Sequence, residues 1–408
     1  MRIDSAAASV SLDPRDAGFV QDPYTAYRAI RAASPRFKWE QYGYWCLARY
    51  ADVAAVLRDR RFGRQIDHLM SRKERGLPEH AADLRPFYEF ERHSLLELEP
   101  PAHTRIRSLV NRAFLSRQID RLRPRIAAIA NELIDGFAGH RETDLLPAFA
   151  IPIPVIVIAE VLGVPATMAP SLLDWSHKMV AMYQFRRGEE VERDAVAATQ
   201  AFTAFMRAHV KERRQAPADD LLSALIAAEA EGSKLSEDEM IVTAILLLNA
   251  GHEATVHAIG NAVKALLEHD RQAVAEFASG GEVRTVVEEL LRFDAPLHLF
   301  TRYALEDVDL DGLRLGKGEE IGLLLASANR DDARFPDPDC LIPARFPNPH
   351  VSFGAGIHFC VGAPLARLEL EVALWVLFAR LPGLRLTATP RYRDSYHFHG
   401  LESLQVAW

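Results

Sequence analysis

The sequence predicts a mainly α-helical protein with minor β structure, and three observations carry that expectation. An apolar span opens at Ser236 and meets no proline before Pro296. A second helical pattern runs from Val361 to Arg380 and stops at Pro382-Gly383. Strand-like runs are few and short: 42–50, 313–328 and 399–408.

The first span carries its own start signal. S-E-D-E from Ser236 to Glu239 is a capping box, with Leu235 and Met240 placed to form a hydrophobic staple. The residues that follow, MIVTAILLLNAGHEATVHAIGNAVKALL, are apolar nearly all the way round, which in a soluble protein marks a helix through the centre of the core. The pattern EVRTVVEELLRF is helical and ends at the turn Asp294-Ala295-Pro296. The stretch from Ala328 to Gly356 is a loop with five prolines, a length that marks function in a compact domain. After Cys360, VGAPLARLELEVALWVLFAR resumes a helical period.

With 408 residues, 49% hydrophobic and 25% charged, the composition is that of a globular protein with a large core. No stretch reads as a linker or repeat, so a single domain over 1–408 is expected. A net charge of −8 without clustered Lys and Arg disfavours nucleic acid. No run is apolar enough for a signal-peptide core or membrane anchor, so a cytoplasmic location is expected. Three scattered cysteines, Cys46, Cys340 and Cys360, do not make a disulfide framework. Cys46 reads as a small core residue, and neither it nor Cys340 suggests chemistry.

The segment AGHEATVH, Ala250 to His257, resembles a helical zinc motif whose second histidine arrives one residue late. Residues four apart on a helix lie within about 40° of each other, whereas residues five apart differ by about 140°. His252 and His257 therefore diverge, and the spacing suggests no third ligand. Glu253 still requires a reason, because a carboxylate in an apolar helix costs several kcal/mol unless it is paired or used.

FGAGIHFCVG, Phe353 to Gly362, sets a cysteine after a glycine-rich bend and before a strong helix. Gly354 and Gly356 permit tight backbone geometry, and Gly362 leaves space beside the sulfur. A helix N-terminus favours the thiolate, so Cys360 reads as a nucleophile or a soft metal ligand. The pattern F-G-x-G-x-H-x-C-x-G resembles the haem-ligand signature of the cytochrome P-450 superfamily. Four further segments lie in that family's order: PPAHTRIR from Pro100, AGHE from Ala250, E-x-x-R from Glu289 to Arg292, and ANRD from Ala328. DPYTAYRAIR at 22–31 and the closing HGLESLQVAW resemble the soluble bacterial branch, so the resemblance covers essentially the whole chain.

The resemblance implies a helix-rich triangular prism with small sheets and haem b between the central helix and the helix after Cys360. It implies Cys360 as the thiolate iron ligand, with Phe353 and Gly354 of the same loop also binding the cofactor. It further implies His103, Arg107, Arg302 and His358 as propionate contacts, and Glu289 with Arg292 as a structural pair completed by Arg345 or its loop. Ala250 and Gly251 give room on the central helix, and Glu253 is the acid that governs proton delivery during oxygen activation. The family follows that acid with threonine. This chain has Ala254 there and moves the hydroxyl to Thr255, about 100° round the helix. An ordered water or a group on the substrate would have to compensate, and His257, one turn on, is placed to relay protons to Glu253.

The implied activity is a monooxygenase acting with O2 on a medium-sized lipophilic substrate such as a terpenoid, steroid, aromatic acid or polyketide. Tyr183, Phe185, Leu297, Leu299 and Phe398 offer an apolar wall, with His298 as its polar point. No flavin or nicotinamide fingerprint appears, so electrons are expected from a ferredoxin and its NAD(P)H-dependent reductase. That acidic partner would dock near Arg107, Arg112 and Arg367 on a monomeric protein. A peroxide-driven peroxygenase and a non-catalytic haem-thiolate sensor are the alternatives. Retention of Glu253 favours dioxygen, and Ala254 favours the sensor.

Overall fold

The computed structural model describes residues 1–113, 119–184, 187–230, 235–279 and 283–408. Helices dominate, and among the described residues no strand exceeds the six residues of Leu299–Ala304. The chain forms two compact units, each assembled from separate stretches. The first contains Met1–Ile66, Arg123–Ile151 and Ala254–Trp408, and the second Asp67–Leu122 and Pro152–Glu253.

The apolar span that opens at Ser236 folds as one uninterrupted helix, Glu237–His269. Its capping box is closed: the Glu239 amide donates to Ser236 Oγ at 3.2 Å, and the Ser236 amide donates to the Glu239 carboxylate at 2.9 Å. Leu235 and Met240 on either side of the cap are buried, as a staple requires. This central helix contributes residues up to Glu253 to the second unit and residues from Ala254 to the first.

In the first unit a seven-stranded sheet runs in the order Arg2–Asp4, Ser9–Ser11, Arg36–Trp39, Trp45–Leu47, Glu320–Leu324, Leu299–Ala304, Phe62–Gly63. Glu320–Leu324 pairs parallel with Trp45–Leu47, Ile321 opposite Trp45, and antiparallel with Leu299–Ala304, Ile321 opposite Arg302. Cys46 is buried at the first of these seams, and a side chain on Gly322 would stand 2.7 Å from its sulfur. The cysteine is thus a core residue, as expected. The strand-like run 313–328 ends earlier than the sequence suggests. Leu325–Ala328 is a buried helical turn, held where the Arg31 guanidinium donates to Ser327 O and Oγ. The helix after Cys360, Ala363–Arg380, is buried on most sides and packs against Arg123–Phe137 and Arg271–Ala278.

In the second unit Glu189–Gln215 lies against Ala169–Val180, with the Trp175 ring 5.1 Å from Phe202. Arg105, on the helix Ala102–Ala113, reaches both oxygens of Glu239 at 3.1 and 2.5 Å.

Candidate active site

The cysteine loop is tied by its own backbone. Gly354 N–H donates to Val351 O at 2.8 Å and Cys360 N–H to Phe353 O at 3.0 Å. Gly354 and Gly356 have φ of 68° and 72°, a region that a Cβ disfavours. At Gly356 a Cβ would also lie 2.2 Å from the Leu57 carbonyl oxygen, so this glycine is required twice. At Gly362 the nearest atom to a Cβ would be Cys360 Sγ at 3.9 Å, so the glycine leaves the flank of the sulfur open. Cys360 itself is exposed. It is not the first residue of the helix, which begins at Ala363 behind Gly362.

Behind the loop lies a buried ionic network. The Glu289 carboxylate receives Arg292 Nε and Nη2 at 2.7 and 2.8 Å, Arg345 Nε at 3.0 Å, the Ile342 amide and Asn348 Nδ2. Glu289 and Arg292 are fully buried, which is tolerable only because the remaining guanidinium donors also find carbonyls. Arg292 donates to Asn329 O, Pro338 O and Cys340 O, and Arg345 to Pro336 O and Asp337 O. The pairing expected for Glu289 and Arg292 is present, and Arg345 does complete it. Cys340 takes part only through its carbonyl.

The segment Ala328–Asp331 joins that network to the cysteine loop. Asn329 Nδ2 donates to Ser352 Oγ at 2.7 Å, Asn329 Oδ1 accepts from Val351 N–H at 2.8 Å, and Ser352 Oγ donates to Leu291 O. Nearby, Arg367 pairs with Glu288 at 2.5 and 2.9 Å and lies 4.5 Å from the Phe353 ring centre. His350 Nε2 is 3.0 Å from the same carboxylate. Burial alone would raise the Glu288 pKa, but hydrogen bonds from His350 and Arg367 hold it down at about 2. Arg367, expected from sequence among the docking cations, is thus paired with Glu288 while about a third exposed.

On the second unit's part of the central helix, Glu253 is buried with company the sequence did not suggest. His177 Nε2, on Ala169–Val180, lies 3.2 Å from Glu253 Oε1, and His252 Nε2 lies 3.4 Å from the same atom. His252 Nδ1 is 2.7 Å from Leu248 O, and only an N–H satisfies a carbonyl, so the lone pair of a neutral ring is on Nε2. His177 is half-exposed, which connects Glu253 to solvent. Ala250 is exposed, and Gly251 is needed for packing, because a Cβ there would lie 2.8 Å from Ile158 Cγ1. Ala254 is half-buried and Thr255 buried. His257 is packed 5.9 Å from the Phe398 ring and fills the space that a side chain on Gly400 would occupy. These contacts explain His257 as a core residue, while His177 and His252 stand beside Glu253.

The remaining expected residues fall in separate places. In the second unit His103 is buried, Arg107 Nε donates to Asn111 Oδ1 at 3.0 Å, and Tyr183 is half-exposed with its hydroxyl donating to Glu91. In the first, Arg302 is buried and donates to Thr301 O, and His358 is half-buried beside the cysteine. Leu297 and Phe398 meet in an isolated antiparallel bridge. His298 and Leu299 turn inward instead. His298 is fully buried with Nδ1 2.9 Å from Tyr27 Oη, and Leu299 joins the core of Val10, Phe37 and Trp39. Burial, with His399 beside it, pushes the His298 pKa well down, so the ring is neutral. Phe185 lies outside the described residues.

Such a cysteine loop, backed by a Glu-Arg-Arg network in a helical fold with small sheets, defines a haem-thiolate protein. The family model "Cytochrome P450" matches residues 70–273 and 283–381, and the chain belongs to the cytochrome P450 family. It is 35% identical over 404 residues to the polyketide biosynthesis cytochrome P450 PksS of Bacillus subtilis, covering 97% of this chain and 98% of that one. It is 38% identical to the vitamin D(3) 25-hydroxylase of Pseudonocardia autotrophica, covering 95% and 94%. The solved structure of P450BioI with a fatty-acyl-ligated acyl carrier protein matches with a TM-score of 0.89 and 33% identity, over 96% of this chain and 100% of that one. The protein is therefore a bacterial-type P450 monooxygenase, and the family's cofactor is haem held by a cysteine thiolate. The loop fits that group: Cys360 is exposed, Gly362 leaves the flank of its sulfur open, and backbone hydrogen bonds tie the loop. No described helix is long and apolar enough to cross a membrane.

Proposed function

We propose that the chain acts over 1–408 as one monomeric, cytoplasmic haem domain that hydroxylates a medium-sized lipophilic molecule, with Cys360 as the iron ligand. The single observation that carries this reading is the exposed Cys360 on a loop where Gly354 and Gly356 adopt positive φ and Gly362 leaves the flank of the sulfur clear. Haem supplies oxygen activation when bound. Arg302 and His358 are the propionate candidates in the first unit, and His103 and Arg107 keep that role in the second. Phe353, packed on Arg367, steadies the loop. Leu297 and Phe398 offer an apolar surface suited to a terpenoid, steroid or polyketide. The printed names of relatives, a vitamin D(3) hydroxylase and a polyketide-pathway enzyme, agree with that class. A ferredoxin with its NAD(P)H-dependent reductase supplies the electrons.

Proton delivery runs through Glu253 without the usual neighbouring hydroxyl, since Ala254 has none. Glu253 Oε1 takes a proton from His177 Nε2, which reaches solvent, and His252 Nε2 stands 3.4 Å from the same oxygen. The test is a carbon monoxide difference spectrum of the reduced protein, with Cys360→Ser alongside. A thiolate-type Soret band lost in the variant is expected, and a band elsewhere in the unmodified protein overturns the assignment. Substrate-induced Soret shifts across a lipophilic library, followed by NAD(P)H-dependent product, then identify the substrate.

A further inference from the structure

We propose that His177, His252 and Glu253 form a zinc-binding site, filled reversibly from solvent. All three belong to the second unit, and their ligand atoms lie within 4.8 Å of one another. Donors around a tetrahedral zinc, each about 2.0–2.2 Å from the ion, stand about 3.4 Å apart. The two separations from Glu253 Oε1, 3.2 Å to His177 Nε2 and 3.4 Å to His252 Nε2, match that edge with little movement.

His252 is the independent observation. Its ring is 3% exposed, and Nε2 has no hydrogen-bond partner. Its Nδ1–H is fixed on Leu248 O at 2.7 Å, the outer contact that sets a ligating tautomer. Nε2, buried and without a hydrogen-bond partner, faces the Glu253 carboxylate oxygen, and a cation between the two atoms would satisfy both. His177, half-exposed, gives the ion a way in, and water completes the fourth position. The helical zinc motif that fails on His257 is not needed, because the second imidazole comes from another helix. The other buried cluster, Asp294, His298 and His399, is a poorer candidate: Tyr24 and Tyr392 already hold both Asp294 oxygens, and Tyr27 holds His298 Nδ1.

Zinc at this place would occupy Glu253 Oε1 and slow turnover, a consequence that rests on the proton-delivery reading above. The site is tested without that reading, by equilibrium dialysis of the haem-loaded protein against zinc chloride with metal counted per haem. One zinc per chain is expected. His177→Ala and His252→Ala should each weaken retention at least about tenfold, while the surface variant His269→Ala retains it. Zinc K-edge absorption should show nitrogen and oxygen neighbours at about 2.0–2.2 Å. No stoichiometric zinc, equal retention in the His177 variant, or a sulfur shell would each overturn the site. Since His177 is half-exposed, its variant is read even if His252→Ala fails to fold. Stoichiometric zinc with unchanged turnover upholds the site and overturns the role given to Glu253.

Discussion

His177 Nε2 lies 3.2 Å from Glu253 Oε1, so a half-exposed imidazole contacts a carboxylate buried in the central helix. That relationship gives Glu253 a partner from a separate helix, which the sequence did not suggest. His177→Ala is expected to slow product formation at least about tenfold while leaving the substrate-induced Soret shift in place. Ala254→Thr should leave product per NAD(P)H within about twofold, because the route does not depend on that hydroxyl. A large rise in coupling for Ala254→Thr would show that the missing hydroxyl limits the enzyme.

Glu289→Gln removes the charge that two buried guanidinium groups share. Stranding Arg292 and Arg345 is expected to cost about 3–5 kcal/mol in urea unfolding and to lower the haem content of the purified protein. A loss of less than about 1 kcal/mol would mean that the carbonyl partners suffice without the carboxylate.

The Glu288 carboxyl is held near pKa 2 in the folded protein, against its ordinary 4.5. Its stabilisation is therefore fully present above about pH 4.5 and lost as pH falls toward 2. After allowance for its partial exposure, the contribution is about 2 kcal/mol. Glu288→Gln should lower stability at neutral pH by about that amount and flatten the fall in stability between pH 4.5 and 2. Parallel pH profiles in the two proteins would contradict the assignment.

Two glycines of the cysteine loop should behave differently. Gly356→Ala sets a Cβ against the Leu57 carbonyl at positive φ, and soluble haem-loaded protein should be nearly absent. Gly362→Ala makes only an ordinary contact with the sulfur, so it should fold and keep the thiolate Soret band. Equal yields of the two variants would sink the distinction.

Gly251→Ala overpacks Ile158, whose Cγ1 would lie 2.8 Å from the new methyl. A loss of about 1–3 kcal/mol is expected, with recovery of much of it in Gly251→Ala combined with Ile158→Ala. Additive losses in the double variant would place the cost elsewhere.

The features legible in the sequence were those encoded locally. The Ser236 cap, the glycines before Cys360 and the three-residue spacing of Glu289 and Arg292 each hold their reason within a few residues. Contacts across distant segments left no such mark. His177 carries no motif, and only folding brings its helix to Glu253. His298 was misread because Leu299–Ala304 lies inside a sheet with buried residues on both faces, so alternation does not separate an inward from an outward side chain. Just before that strand Leu297 is bridged to Phe398, while the next residue, His298, meets Tyr27. Ala254 stood out only against the family pattern, since alanine in a helix is otherwise unremarked.

Asn329 grips Val351 and Ser352, and Ser352 in turn grips Leu291. These ties are made wholly by the chain's own side chains and backbone, so part of the entropy of ordering the approach to the cysteine loop is lost at the folding step. Each such tie reduces the ordering that cofactor uptake would otherwise have to supply. Loosening Asn329 would move the ordering cost to the moment of uptake, and the chain would then discriminate less sharply between haem and other flat porphyrins.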